Sequence, residues 1–249
     1  MARLLGGLSA ASLGRRIVGC RNCPRLVKYR KSVCPRAAFR GQHYWRKPVP
    51  GFGDLNGRLL VLGIAPAAHG GNRTGRVFTG DSSGRFLVRA LYSAGFADRP
   101  VSESIDDGLT YYDCYVTAAV KCAPPGDRPS RTEFENCSVF LDEEVRLMRN
   151  LRAVLALGAL SFGAYVKHMR RGGFDGRGLS FEHGRRFQFE ARPSLYASYH
   201  PSPRNTNTGV LSQGMLVRLL KRIKSDLDST GAPQSITKQP SEPNAGPVA

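Results

Sequence analysis

The sequence predicts an α/β fold, with three α/β/α layers around a central, mostly parallel sheet of four strands. Short apolar runs alternate with segments of helical periodicity, which is the pattern of parallel strands joined by helices. Each run is apolar throughout rather than at every second residue, which is typical of strands buried on both faces. The four predicted strands are residues 58–64, 111–120, 152–158 and 194–199.

Helices are predicted between and after these strands. Ser130-Arg131-Thr132-Glu133 forms a capping box, which marks the start of a helix. The other expected elements are helices over residues 82–94, 159–169 and 211–223, one or two basic helices between residues 24 and 45, and a hairpin over residues 179–189. The pattern predicts one domain over residues 1–224 and a disordered tail over residues 225–249.

The chain is strongly basic. Its 249 residues include 37 Lys and Arg against 19 Asp and Glu, a formal net charge of +18, and no acidic residue precedes Asp54. Because self-repulsion on that scale destabilises a compact chain, a polyanionic partner is expected. A nucleic acid is favoured over a membrane surface, with a merely solvated basic surface left open. No apolar run is long enough to span a bilayer and no secretory signal is evident, so a cytoplasmic protein is expected.

Three polar loops follow predicted strands: residues 65–81 (the first loop), 121–129 (the middle loop) and 200–211 (the third loop). The carboxyl ends of parallel strands meet at one edge of an open α/β sheet, where ligands bind, so these loops predict the functional site. The first loop is rich in Gly, Asn, Arg and Thr, which suits backbone approach to phosphates and sugars. It lacks the Gly-Lys-Ser/Thr ending of an ATP-binding loop, which disfavours nucleotide hydrolysis.

The six cysteines favour a metal site over disulfides, because thiols stay reduced in a chain without an export signal. The candidate ligands form one tight and one wide pair: Cys20 and Cys23, then Cys122 and Cys137. Four thiolates suit zinc or an iron–sulfur cluster, and the width of the second pair favours the bulkier cluster. Burial as small apolar residues is the alternative, above all for Cys114, and Cys34 is a spare thiol that can replace one ligand.

Four motifs in matching order resemble those of the family 5 uracil-DNA glycosylases, over residues 20–223. They are Cys-x-x-Cys, the Gly-x-Ala-Pro-Ala…Gly-Arg-x-Phe-Thr-Gly-Asp segment that starts at Gly63, Val120-Lys121-Cys122-Ala123-Pro124-Pro125, and His200-Pro201-Ser202-Pro203. The resemblance implies excision of uracil from DNA. It also implies a 4Fe–4S cluster, held by Cys20, Cys23, Cys122 and Cys137. The expected partner is duplex DNA with damaged bases, with single strands left open, and the expected state is a monomer.

The loop residues fit the chemistry of base excision. A glycosylase must extrude its target nucleotide into a pocket, where Phe78 is expected to stack on the base. Cleavage leaves negative charge on the base and positive charge on the sugar. His200 is expected to donate a hydrogen bond to the base O2, and Asp81 to stabilise the sugar cation and position water. The alternative roles are a buried loop anchor for Phe78 and a helix N-cap for Asp81.

Two positions depart from the related family 4 enzymes. Those enzymes have an Asn that reads the uracil edge where this chain has Ala118, and an acidic residue where it has Ala65. Loss of the amide predicts a wider substrate range that includes hypoxanthine. The expected substrate-binding residues are Gly63, Ala65, Phe78, Ala118 and Asn205.

Several arginines in or beside these loops are expected to bind DNA phosphates: Arg73, Arg76, Arg85 and Arg204. Residues 204–208 are expected to fill the gap left by an extruded base, and Asp127 is a further site candidate. Two other functions stay open from the residues alone. A non-catalytic iron–sulfur protein would absorb visible light without releasing bases, and a zinc-stabilised nucleic-acid module would be colourless.

Overall fold

Four parallel strands form the centre of the sheet, as the apolar runs predict. The computed structural model describes residues 9–229. Its strands are β1 (Phe52–Gly53), β2 (Leu59–Gly63), β3 (Cys114–Ala118), β4 (Ala153–Leu157), β5 (Arg186–Phe187) and β6 (Ser194–Ser198). The order across the sheet is β1-β3-β2-β4-β6-β5, with β3, β2, β4 and β6 parallel and the short edge strands β1 and β5 antiparallel. Edge strands of two residues carry no periodicity, so the sequence predicts only the inner four strands.

Helices cover both faces of this sheet. They are α1 (Ala10–Gly19), α2 (Pro24–Ser32), α3 (Gly71–Thr74), α4 (Ser82–Ser93), α5 (Arg131–Leu147), α6 (Ala159–Arg171), α7 (Pro203–Asn207) and α8 (Gln213–Ser229). Both halves of the predicted capping box form at the start of α5. No helix within residues 9–229 combines the length and the apolar character that crossing a membrane requires.

The strands separate two cores. Along β2, Leu59 and Val61 lie in a core that includes side chains of α4 and α8, whereas Leu60 and Leu62 lie in a core with side chains of α5 and α6. This alternation explains the continuous apolar runs, because every residue of an inner strand faces one helical layer or the other. The three-layer architecture is therefore confirmed.

Two predicted segments differ from the structure. The hairpin expected over residues 179–189 does not form, because β5 pairs with β6 instead. The closing helix continues to Ser229, so residues 225–229 belong to the domain and not to a tail. Leu227 is buried and extends the apolar face of α8 by one more turn, which keeps the helix docked. The remainder of the predicted tail, residues 230–249, lies outside the described residues.

The switch point of the sheet lies at β2, since β3 is its neighbour on one side and β4 on the other. A crevice opens at the carboxyl ends of the strands at such a point. The first, middle and third loops leave the carboxyl ends of β2, β3 and β6, as predicted. The fold therefore brings all three candidate loops to one edge of the sheet.

Candidate active site

Phe78 lies over the carboxyl end of β2 in an unusual backbone conformation. A Cβ atom on Gly63 would lie 2.7 Å from two ring carbons of Phe78, so the ring packs directly on the glycine. The φ angle of Phe78 is +49°, a region that bulky residues rarely adopt. Strain of this kind persists where the surroundings enforce it, and it concentrates at functional sites. The first loop thus fixes an aromatic ring at the switch point.

Asp81 ends the first loop and caps α4. Its Oδ1 accepts a hydrogen bond from the Gly84 N–H at 2.8 Å, so the N-cap alternative is confirmed. The other carboxylate oxygen, Oδ2, lies where a Cβ of Gly70 would be, 1.7 Å away. Burial raises the pKa of Asp81, although backbone N–H groups of the helix and nearby arginines favour the ionised form. One oxygen therefore anchors the helix, while the second faces the backbone of the first loop.

His200 follows β6, on the other side of the switch point from Ala118. Its ring centroid is 6.3 Å from that of Phe78, so the two rings border the same space. Burial lowers the pKa of His200 to about 4, and the imidazole is neutral at pH 7. A Cβ on Gly158, just beyond β4, would lie 3.2 Å from the His200 Cβ. Gly158 could not be predicted as a neighbour of His200, because this proximity depends on the pairing of β4 with β6.

The structure brings some predicted substrate-binding residues together and separates others. Gly63 and Ala118 are register partners at the ends of β2 and β3, and Ala118 is buried. Ala65 instead packs against the core that contains the candidate cysteine ligands. Asn205 donates its side-chain amide to the His200 carbonyl at 2.8 Å. This bond makes Asn205 a support for the third loop, and its predicted contact with substrate stays a prediction.

The four predicted phosphate-binding arginines fall into two classes. Arg85 and Arg204 are exposed near the carboxyl edge of the sheet. Arg73 is half-buried and holds the first loop together through hydrogen bonds to the carbonyls of His69 and Gly80. Its role at a phosphate stays a prediction.

The prediction that Arg76 binds a DNA phosphate is wrong. Its side chain is 2% exposed, and it donates to Asp107 at 2.5 Å and to Ser102 at 2.9 Å. The guanidinium also lies over the Phe52 ring. A side chain enclosed in this way does not reach a phosphate. Arg76 joins the first loop to residues 102–107, and nothing in its local sequence distinguishes it from a surface arginine.

His183 supports the chain beside the candidate site, and no signal in the sequence predicts this role. Its ring stacks on Tyr199 at a centroid distance of 4.8 Å and an angle of 6°. Its Nδ1 accepts the backbone N–H of Tyr199 at 3.1 Å, which places the ring proton on Nε2. Burial lowers the pKa of His183 and keeps it neutral, as an acceptor must be. Because Tyr199 precedes His200, His183 fixes the end of the strand that carries the candidate donor.

A buried ion pair supports the end of β3. Lys121 and Glu144 are 1% and 0% exposed, and Nζ of the lysine lies 2.7 Å from the carboxylate. Nζ also donates to the Ala118 carbonyl at 2.8 Å and to the Thr117 hydroxyl at 2.7 Å. Thr117 in turn donates to Glu144. The pair therefore ties α5 to the chain segment between Ala118 and the candidate ligand Cys122.

The four candidate cysteine ligands meet in one place. A small cavity is lined by Cys20, Cys23, Cys122 and Cys137. Cys20 and Cys23 flank the turn between α1 and α2, Cys122 follows β3, and Cys137 lies in α5. Cys114 is buried inside β3, in the core beside α4 and α8. Within residues 9–229 no three acidic, His or Cys side chains converge closely enough for a single metal ion.

The surroundings of these thiols fit an anionic cluster. Arg30 is buried, and its Nη1 donates to Cys122 Sγ at 3.1 Å. Its Nε is buried without a hydrogen-bond partner among residues 9–229. Burial raises the pKa of Cys122 to about 11 and that of Cys137 to about 12, so bare thiols are neutral and leave the guanidinium without an anion. Ligation deprotonates thiols, and four thiolates around a bound cluster would supply the missing negative charge.

The fold and the site define an α/β enzyme in which a neutral imidazole lies beside an aromatic ring at the carboxyl edge of a parallel sheet, and a buried carboxylate ends the loop that carries the ring. The profile of the uracil DNA glycosylase superfamily matches residues 50–224. Type-5 uracil-DNA glycosylases of Pyrobaculum aerophilum and Thermus thermophilus are 47% and 44% identical to this chain. The first match covers 85% of this chain and 90% of the relative, and the second covers 84% and 94%. A third type-5 uracil-DNA glycosylase, from Mycobacterium leprae, is 44% identical, and the match covers 88% of this chain and 96% of the relative. The chain belongs to the uracil-DNA glycosylase superfamily, in its family 5 group.

Proposed function

We propose that this chain is a monofunctional DNA glycosylase that hydrolyses the N-glycosidic bond of uracil in DNA and so starts base excision repair. The observation that carries this proposal is the proximity of the Phe78 and His200 rings at the carboxyl edge of the sheet, with the buried carboxylate of Asp81 at the end of the loop that carries Phe78. Preorganised groups of this kind contribute most where a reaction separates charge.

The chemistry follows from the protonation states. An extruded base stacks on Phe78, and the C1′–N bond breaks with its electron pair going to the base. Neutral His200 donates a hydrogen bond to the base oxygen that gains negative charge. The carboxylate of Asp81 stabilises the sugar cation and orients the water whose oxygen bonds to C1′. The proton released from that water leaves with the base or with solvent.

The proposal includes a 4Fe–4S cluster on Cys20, Cys23, Cys122 and Cys137. The cavity lined by all four cysteines supports it, as does the buried guanidinium of Arg30, which donates to Cys122 Sγ and forms no ion pair with a carboxylate among residues 9–229. Hydrolysis needs no electron transfer, so the cluster serves as a cross-link between α1, α2, α5 and the segment after β3. Measurement of iron and acid-labile sulfide in anaerobically purified protein would test this. Stoichiometric zinc in place of iron would indicate a zinc site instead of the cluster.

A wider substrate range than uracil alone is part of the proposal. Ala118 is buried beside Gly63, where it presents no side-chain amide to read a base edge. We expect hypoxanthine and modified uracils to be excised as well. Ala118→Asn should raise the ratio of the excision rate at uracil to that at hypoxanthine, measured in single turnover. An unchanged ratio would contradict a role for this position in selecting the base.

The proposed partner is duplex DNA with damaged bases, bound by the monomer in the cytoplasm or nucleoid. Arg85 and Arg204 are exposed at the carboxyl edge and are the best-placed phosphate contacts. Residues 204–208 form α7 and its end beside His200, where they suit the gap left by an extruded base.

The experiment that tests the function is a single-turnover assay on duplexes that carry uracil, hypoxanthine or thymine opposite each base. Alkaline cleavage then reveals abasic sites. We expect uracil to be released, with losses of about 10²- to 10³-fold in Asp81→Ala and His200→Ala. Arg149→Ala, at the opposite edge of the sheet, is the control. Full activity in both site variants would remove this mechanism, and a pure protein with no base release would favour a non-catalytic iron–sulfur protein.

A further inference from the structure

Arg30 occupies the last turn of α2, between the cysteine cavity and the first loop. Its side chain is 3% exposed. Besides the bond to Cys122 Sγ at 3.1 Å, the one other hydrogen bond of its guanidinium within residues 9–229 goes to the backbone carbonyl of Cys20, at 3.5 Å. Among residues 9–229 no carboxylate forms an ion pair with it. Arg30 is therefore a buried cation whose shortest hydrogen bond is to a sulfur atom.

A buried guanidinium without a counter-charge is strongly destabilising. A 4Fe–4S cluster with four thiolate ligands carries a net negative charge, and N–H donors to sulfur stabilise that charge. The short distance to Cys122 Sγ therefore has an energetic reason once the cluster is bound. Lys31, the next residue along α2, is exposed and needs no such partner.

The backbone of Arg30 also reaches the first loop. Its carbonyl accepts the side-chain amide of Asn72 at 3.2 Å, and Asn72 is buried. On its other side, the Asn72 carbonyl accepts the N–H of Arg46 at 3.1 Å, and the N–H of Trp45 donates to the Arg73 carbonyl. The Trp45 ring packs on Gly75, where an added Cβ would lie 3.0 Å from it. Hydrogen bonds thus connect Cys122 to Arg30 and Arg30 to Asn72. Asn72 belongs to the first loop, which carries Phe78 and Asp81.

We propose that Arg30 is the counter-cation of the cluster and that, through Asn72, it couples cluster binding to the position of the first loop. This inference rests on the proposed cluster. The side chain and the backbone of Arg30 then have separate roles. The guanidinium retains the cluster, and the carbonyl holds the loop.

The test uses purified holoprotein and two readouts that do not depend on base release. One is the rate at which visible absorbance is lost in the presence of an iron chelator. The other is hydrogen exchange of the amides of residues 70–76. Arg30→Met should lose the cluster roughly 10- to 100-fold faster than the unmodified protein, because removal of an outer-shell partner typically lowers metal affinity by that factor and a weaker hold appears as faster release. Arg30→Lys should be intermediate, and the matched control Lys31→Met should behave as the unmodified protein.

Asn72→Ala separates the two tasks. It should raise exchange in residues 70–76 and speed cluster loss less than Arg30→Met does, whereas stripping the cluster from unmodified protein should raise exchange in the same residues. Equal cluster loss in Arg30→Met and Lys31→Met would overturn the counter-cation role, and if Arg30→Met does not fold, Arg30→Lys decides it. Unchanged exchange after stripping would overturn the coupling. Protein that never contains iron would instead overturn the proposed cluster itself.

Discussion

Three glycines shape the candidate site, because each leaves space that a Cβ atom would otherwise fill. Gly63 leaves room for the Phe78 ring, Gly70 for the Asp81 carboxylate, and Gly158 for His200. Each glycine lies where a Cβ would meet a functional side chain at 3.2 Å or less. The candidate functional groups are thus held close against the backbone.

The pH dependence of base release should be set by Asp81. Its carboxylate must be ionised to stabilise the sugar cation, and burial raises its pKa above the ordinary value of about 3.9. The rate should therefore fall as the pH falls through that raised pKa. Single-turnover rates between pH 4 and 8 should show this acid limb in unmodified protein.

Two variants assign the acid limb. Asp81→Asn should be about 10²-fold slower and lose the limb, because nothing in its place titrates. His200→Gln should be slower but retain the limb, since His200 is already neutral above its pKa of about 4. A limb that disappears in His200→Gln and survives in Asp81→Asn would reverse the assignment.

Local motifs predict the residues of the candidate site, but not the neighbours of each residue. Phe78, Asp81 and His200 were predicted because a loop after a strand carries its own signal. The burial of Arg76 was not, because it depends on Asp107, which is distant in sequence. The support of His200 by His183 likewise depends on the antiparallel edge strand β5, which is too short to predict.

At the scale of elements, the buried Lys121–Glu144 pair should hold α5 to the end of β3. Lys121→Met and Glu144→Leu should each destabilise the fold by about 3–5 kcal/mol, because each leaves the other charge buried without its partner. The double variant should lose much less than the sum. Urea unfolding at matched metal content measures all three. Additive losses would show that the two side chains contribute independently.

His183 should position the end of β6. His183→Phe keeps an aromatic ring against Tyr199 but removes the acceptor of its N–H. Because a small displacement of a catalytic group lowers rates severely, we expect base release to fall about tenfold or more with DNA affinity unchanged. His183→Asn, which retains an acceptor, should recover part of the rate.

Phe181→Leu is the control for the His183 variants. Phe181 contacts the same Tyr199 ring but forms no hydrogen bond with the Tyr199 backbone. It should affect thermal stability more than rate. If His183→Phe keeps the rate of the unmodified protein while His183→Asn is slow, ring packing rather than the hydrogen bond positions His200.

For the whole molecule, the balance of 37 basic against 19 acidic residues matters mainly at the DNA surface. Each phosphate contact releases counterions, so the logarithm of the binding constant should fall linearly with the logarithm of salt concentration. The overall charge does not say which arginines make these contacts. The structure does narrow the choice, because it buries Arg76 and exposes Arg85 and Arg204 at the carboxyl edge.

Binding of undamaged duplex over a range of salt concentrations distinguishes these arginines. Arg85→Gln and Arg204→Gln should each weaken binding and reduce the salt slope by about 1. Arg149→Gln removes the same charge at the opposite edge of the sheet and should leave the slope unchanged. Arg76→Gln should lower the unfolding temperature, because it breaks the buried bonds to Asp107 and Ser102, and should also leave the slope unchanged. Equal slopes in all four variants would mean that DNA is held by the general charge of the surface, and that the carboxyl edge is not its binding face.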